Sequence, residues 1–384
     1  MKKIISIILS ITMLSLPLTA CSSGEGGDDK RTKVAIVTED KQSDSQSFRA
    51  AKNIADLYAL RNKDKSSNDV IEHFVMPSDY VTNPKKSEKI VKKIVADEEI
   101  GAVVFSGKND KILDCVNEIK SAREDIITMG ANLNLPIDKM SENLDLSFIQ
   151  NESSSGKDTV MLAKEMGAEQ FLVYYSDKDL KEKKELNKKI SEIKDECKNQ
   201  NIEFVEVKVN DINSKEDEYK VKKFISEDLE KQIYKYGKNI NVYGTNSTMD
   251  DVILRRGIKS KVIISEISDG CLVDEMNDLY RNIMKTGEIG NFKGNASLIV
   301  GKNSKYNMDK KVGGLLMPND MFTIYAAADT AMATIEGNVD DKKMCKAYFI
   351  EESMSQKDGI SGSVKNAKAG INNVKIVSVD QIMY

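Results

Sequence analysis

The chain has no tryptophan, one histidine (His73), five prolines and five cysteines in 384 residues, and only 6% of it is aromatic. Each scarcity closes a route. A single histidine leaves no His-based zinc set and no histidine-driven catalytic triad to assemble. His73 itself falls within an expected strand, with no His, Cys or acidic cluster at ligand spacing nearby, so it reads as structural. A dominant charge is lacking too: 57 Lys+Arg against 61 Asp+Glu give a formal net charge of −4, with 31% charged residues. That describes a hydrated surface rather than a nucleic-acid binder. Nor does the amino-terminal apolar run span a bilayer. Residues 4–18 reach about 22 Å as a helix at 1.5 Å per residue, short of a hydrocarbon core of about 30 Å.

Instead, Lys2 and Lys3, a short apolar middle and a small-residue end read as an export signal that is removed. Leu18-Thr19-Ala20-Cys21 resembles the bacterial lipobox, whose cysteine receives a diacylglycerol and becomes the new amino terminus. The expectation is a signal peptide over 1–20, lipidation at Cys21 and a flexible tether over 21–32, since Ser22 to Lys30 is small, polar and acidic with three glycines. Buried acyl chains contribute about 0.8 kcal/mol per methylene, so two or more would hold the protein at the extracytoplasmic face of the cell membrane. Of the other cysteines, Cys115 continues the stripe Ile112, Val116, Ile119, and Cys197 continues Leu186, Ile190, Ile193; both read as core residues. For Cys271 and Cys345 a pairing stays open.

From Lys33 on, short apolar runs alternate with amphipathic stretches, the pattern of βα units around parallel sheets. The pattern predicts strands at Val34–Thr38, Ile71–Met76, Ala102–Ser106 and Ile126–Gly130, with helices at about 46–62, 84–98 and 109–123. Asn83-Pro84 reads as an N-cap followed by a proline at the first helical position. After a linking stretch from Leu133 to Ser153 the alternation resumes, with strands at Gln170–Tyr175, Phe204–Val209, Asn241–Thr245 and Val262–Glu266. Helices are predicted near 155–167, 179–200, 215–236 and 248–257. Ser155-x-x-Asp158 and Ser214-x-x-Asp217 resemble capping boxes. An apolar helix about Phe322 to Ile335 and a strand at Val374–Val379 close the chain. The fold class is therefore α/β: two Rossmann-like lobes, each a parallel sheet flanked by helices. The first lobe is expected over 33–150 and the second over 151–268, with 269–384 returning between lobes and hinge. Repeated crossings make a hinge that resists translation but bends.

Ser153-Ser154-Ser155-Gly156-Lys157-Asp158 fails the phosphate-binding P-loop pattern, because Asn151 stands at the first glycine position and Asp158 where Ser or Thr is required. It reads as a helix start. No G-x-G-x-x-G follows the first strand, so no dinucleotide cofactor is implied. The lysine-rich stretch 178–198 alternates with acids and reads as a solvated face. More informative are the carboxyl ends of the strands, where parallel sheets bind ligands. They supply Thr38, Gln42, Ser43, Ser106 and Asn132 in the first block. In the second they supply Tyr175, Ser176, Asp211, Thr245, Asn246 and Glu266. Hydroxyls, amides and carboxylates of this kind suit a small polar solute, and Tyr175 suits stacking on a flat or sugar-like one.

The segments "KVAIVTEDKQSDSQSFRAAK", "LAKEMGAEQFLVYYS", "FISEDLEKQIYKYGKNINVYGTN" and "NNVKIVSVDQIMY" resemble an uncharacterised family of Firmicute lipoproteins, a domain of unknown function with a type I periplasmic-binding-protein-like fold. The resemblance covers most of the mature chain. It implies a two-lobed binding protein and supplies no established ligand and no catalytic residues to carry over; neither a cofactor nor a metal is expected. The expectation is a lipid-anchored solute-binding protein serving an ABC-type permease. In the family the segment after the tyrosine-serine pair is richer in proline, arginine and histidine. Here it is Asp177-Lys178-Asp179, which motivates a second expectation, a surface sensor or interaction lipoprotein on the same scaffold with a sensor protein as partner. No nucleic-acid partner is expected, since no helix-turn-helix precedes the first strand.

Overall fold

In a computed structural model, residues 31–63, 69–151, 156–268, 272–280, 292–337, 339–357 and 359–384 are described. Cys21, the signal segment, Ser155 with its capping box, and Cys271 lie outside them. The first lobe opens as a run of βα units: β1 (Lys33–Thr38), α1 (Ser45–Lys63), β2 (Val70–Val75), α2 (Pro84–Ala96), β3 (Ile100–Phe105), α3 (Ile112–Ala122), β4 (Ile127–Ala131), α4 (Ile137–Asn143) and β5 (Leu146–Gln150). The second lobe follows with α5 (Gly156–Glu165), β6 (Gln170–Tyr175), α6 (Asp177–Glu182), α7 (Lys184–Asn199), β7 (Glu203–Lys208), α8 (Lys215–Tyr236), β8 (Ile240–Gly244) and α9 (Ser247–Ser260). It continues through α10 (Leu272–Leu279), α11 (Phe292–Lys305) and β9 (Gly313–Leu315). The chain then runs through α12 (Asn319–Gly337), α13 (Asp341–Met344), α14 (Ala347–Lys357), β10 (Gly362–Lys368), β11 (Ile371–Val379) and β12 (Gln381–Met383).

The first sheet has the order β10-β11-β5-β4-β3-β1-β2, parallel throughout except for the β10–β11 hairpin. Every residue of β3 and all but the first of β1 are buried, as expected of strands covered on both faces. One face packs on α1 and α12, the other on α2, α3 and α4 through Val91, Ile94, Ile112, Ile119 and Met140. The second sheet has β7-β6-β8, all parallel, and extends through parallel bridges Asn241↔Ile263 and Ile264↔Val312 to β9, which pairs antiparallel with β12. Its faces carry α5 and α7 on one side, α8 and α9 on the other. Both sheets thus place their second strand outermost beside the first, and the order reverses at β1 and at β6.

The chain passes between the sheets three times: between β5 and α5, between β9 and α12, and at Asp380 between β11 and β12. These crossings are tied together. The Asn151 N–H donates to Val377 O at 2.9 Å, and the Val379 N–H donates to Asn319 Oδ1 at 3.3 Å. A fourth, non-covalent tie comes from α11, whose Phe292 ring meets Tyr325 of α12 edge-on at 5.6 Å.

Several expectations need correction. The stretch 133–153 is not a plain linker but holds α4 and β5, each too short for its period to show. Val262–Glu266 forms two isolated bridges rather than a strand of the ladder. The helix expected over 179–200 breaks at Lys183 (φ −112°, ψ 88°) without glycine or proline. Asn83 stands at the head of α2 but its side chain makes no capping bond. Ser214 does cap α8, accepting the Asp217 N–H at 3.2 Å, but Asp217 reaches back to the Asn213 N–H, one residue earlier than a capping box requires. Cys115 and Cys197 are core residues, as the stripes predicted, and Cys345 is a free thiol set against Asp145 O. Among the described residues no helix is long and apolar enough to cross a membrane.

Candidate functional site

The carboxyl ends of β4, β5 and β8 open into a cleft between the sheets of about 1340 Å³, continuous with a second hollow of about 500 Å³. Gln150, Asn151, Glu185, Lys189, Ser268 and Asp320 line both. Ligand pockets are commonly about 300–1,000 Å³, so this cleft has room for a small solute and for closure around it.

The second-lobe wall is the more tightly bonded one. Asp179, in the first turn of α6 and 9% exposed, gathers three donors on Oδ2: Ser176 Oγ at 2.9 Å, Thr245 Oγ1 at 2.7 Å and Asn246 Nδ2 at 2.8 Å. One buried carboxylate thereby locks the carboxyl ends of β6 and β8 together. Nearby, Glu266 accepts from Lys189 Nζ at 2.8 Å and from the Thr159 hydroxyl, while the Lys189 ammonium lies 5.4 Å from the centre of the Tyr243 ring. Gly156 lets α5 approach α7: a Cβ there would stand 2.3 Å from Lys189 O. The stretch read as a solvated face therefore turns partly inward, since Lys183, Lys188 and Lys189 all line the cleft. A helix in the groove between two sheets has one face in solvent and one against the site, a distinction that charge alternation along the chain cannot carry.

The first-lobe wall carries two carboxylates at helix starts. Asp44 at the head of α1 is 8% exposed and accepts the Ser47 N–H at 3.3 Å. Asp320, in the first turn of α12, accepts the Met321 N–H at 2.9 Å. Burial, reinforced by the charge of Asp44, pushes the Asp320 carboxyl above its usual range, against the pull of Lys108. Beside them Asn132 holds a left-handed backbone (φ 54°), donates from Nδ2 to Asp320 O at 2.6 Å and keeps a buried Oδ1 that has no hydrogen-bond partner among the described residues.

Of the strand-end residues, Asn132 and Thr245 line the larger hollow and Glu266 the smaller. The others are placed elsewhere. Thr38 is buried, its hydroxyl 2.8 Å from His73 Nε2 and 2.9 Å from Glu39 O. His73 is half-buried, and burial together with the Lys52 charge lowers its pKa to about 4, so the ring is neutral near pH 7. Gln42 and Ser43 are exposed, with the Ser43 hydroxyl donating to Asp40 at 2.8 Å. Ser106 is wholly buried, its hydroxyl has no partner among the described residues, and it does not line the cleft. Tyr175 packs against the core under α7, Ser176 and Asn246 cap α6 and α9, and Asp211 accepts the Lys178 N–H at 2.9 Å. Sequence reasoning missed Asp44, Asp320 and Tyr243. Asp44 follows Ser43 directly and was within reach of a helix-start argument. Asp320 enters on the second crossing, where no strand end announces it. Among the described residues no group of three or more His, Cys, Asp or Glu is gathered for a metal ion.

The chain resembles a 1.86 Å crystal structure from Clostridium difficile 630 described as a "Putative transcriptional regulator", with 29% identity over 92% of this chain and 99% of that one, at a TM-score of 0.76. A sugar ABC transporter from Actinomyces odontolyticus ATCC 17982 matches at 12% identity over 93% and 96% of the two chains, with a TM-score of 0.47. An ABC transporter substrate-binding protein from Desulfitobacterium hafniense, in complex with Leu, matches at 12% identity over 92% and 97%, with a TM-score of 0.37. These two distant likenesses say nothing of what this chain binds. No curated protein matches it. Residues 32–271 match the family described as "Protein of unknown function (DUF3798)". With more than half its length matched, the chain belongs to the DUF3798 family, and its two α/β lobes share their fold with the Clostridium difficile structure.

Proposed function

We propose that this is a solute-binding protein whose lobes close over a small polar molecule, held at the outer face of the membrane by lipid on Cys21, and that it delivers the solute to an ABC-type permease. The carrying observation is the cleft itself: polar groups from the carboxyl ends of both sheets converge on one hollow, and three tied crossings form a hinge about which the lobes can bend. Micromolar binding needs about −8 kcal/mol, which several enclosed hydrogen bonds and the burial of one small solute provide. The reading requires no bond-making chemistry. A metabolite screen by thermal shift, followed by calorimetry on the hits, is expected to find a ligand that raises the melting temperature. A screen with no hit counts against it. Fractionation tests the anchor separately: Cys21→Ser is expected to abolish membrane attachment and metabolic lipid labelling.

One observation favours a second, regulatory reading, namely the description of the 29%-identical structure. An exported, lipid-bearing chain has no access to DNA, so the same fractionation decides. A soluble cytoplasmic wild-type chain that shifts promoter DNA in a gel supports the regulator. Crosslinking in cells separates the remaining partners, a permease for transport or a sensor protein for signalling.

A further inference from the structure

The first-lobe wall sets three acceptors, Asp44, Asp320 and Asn132, at the cleft, with Lys108 as the one cation among its described residues. Asp44 is almost fully buried, lines the cleft, and among the described residues its carboxylate has only the Ser47 N–H, at the long distance of 3.3 Å. Asp320 spends Oδ1 on the neighbouring Met321 N–H. Neither is ion-paired among the described residues. Lys108 lines the same wall, but its ammonium donates to Ser43 O at 3.3 Å. Across the cleft Lys189 is committed to Glu266 and Lys188 faces Glu192 at 3.7 Å. The third acceptor, the Asn132 amide oxygen, is neutral. The Asn132 amide is oriented by its bond from Nδ2 to Asp320 O, so the buried atom left without a partner is its Oδ1.

We propose that Asp44, Asp320 and Asn132 form an ammonium-binding subsite, and that the solute of this cleft is an amine-bearing small molecule. The inference rests on the solute-binding reading and narrows it. An ammonium brings three N–H donors and one positive charge, answering both the hydrogen-bond deficit and the unpaired negative charge. A sugar hydroxyl donates one hydrogen bond and leaves the charge in place. A carboxylate or phosphate is repelled by it. The raised affinity of Asp320 for its proton has the same cause that a bound cation would relieve.

The test uses the full chain and three solute panels: amines (amino acids, diamines, polyamines, amino sugars), neutral sugars, and carboxylates or phosphates without nitrogen. Binding is read by thermal shift and calorimetry. The expected hit lies in the amine panel, its N-acetylated form does not bind, and Asp44→Asn or Asp320→Asn each weakens it at least tenfold. Unliganded melting checks that both variants fold, and Asp79→Asn, outside the cleft, leaves the affinity unchanged. A hit among neutral or anionic solutes, or an amine whose affinity both variants preserve, overturns the subsite while leaving solute binding standing. No hit in any panel overturns both.

Discussion

The two walls of the cleft spend their polar groups differently. On the second lobe, Ser176, Thr245 and Asn246 all donate to Asp179, and Lys189 is bound to Glu266. On the first, Asp44, Asp320 and the Asn132 amide oxygen line the same space, and among the described residues neither carboxylate is ion-paired, Lys108 acting on Asp320 only at a distance. A satisfied wall contributes stability and a defined shape, while an unsatisfied one costs stability until something binds. The contrast teaches that polar residues at strand ends are of two kinds, those that hold the sheet edge together and those left for a partner, and only the second kind selects a ligand.

Breaking the satisfied wall has the largest expected effect. Asp179→Ala leaves two buried donors, Ser176 and Thr245, and the half-buried Asn246 without their shared acceptor, and at roughly 1–3 kcal/mol for each unsatisfied buried group the loss is about 3 kcal/mol in urea unfolding. Gly156→Ala drives a methyl into Lys189 O and is expected to cost about 3 kcal/mol, the upper part of the overpacking range. It also moves α7, so ligand affinity falls with stability. Glu266→Gln replaces the carboxylate facing the Lys189 ammonium by a neutral amide. Because the Lys189 side chain keeps 16% of its exposure and the Tyr243 ring, the loss is about 2 kcal/mol, below the range for a fully buried pair. Adding Lys189→Met to it restores most of that, which a double-mutant cycle reads directly.

The smallest effect has the opposite sign. Asp320→Asn removes an unpaired, largely buried charge and is expected to stabilise the unliganded chain by about 0.5–1 kcal/mol near pH 7. The pH dependence fixes the cause. An acid whose folded pKa is raised binds its proton more tightly in the native state, so its contribution is present below the unfolded value of about 3.9 and is lost as pH rises through the folded one. Wild type minus Asp320→Asn, measured by urea midpoints from acid to neutral pH, should show that loss. A flat difference means the charge is already compensated.

Much of the architecture was legible because its elements are long and periodic. The bounds of β6 and α8 match those predicted from the apolar pattern, and β1, β3 and α1 agree to within a residue or two. What was not legible depended on partners distant in sequence. β5 is five residues long and becomes a strand by pairing with β4 and β11. The break at Lys183 has no local cause, and its amine reaches Thr245 O, 62 residues away. The site followed the same rule. Strand-end reasoning placed Asn132, Thr245 and Glu266 at the hollows, but it could not tell that Ser176 and Asn246 are consumed by Asp179, nor that α12 returns to set Asp320 beside Asn132.

Native mass spectrometry of the full chain, purified from its own cells without denaturation or exchange, tests the central claim most directly. One small non-covalent adduct per chain is expected, released on unfolding, carrying an amine and absent from the Asp44→Asn/Asp320→Asn double variant. A bare mass that stays bare after incubation with extract of the growth medium, in a chain shown to be folded, would contradict it.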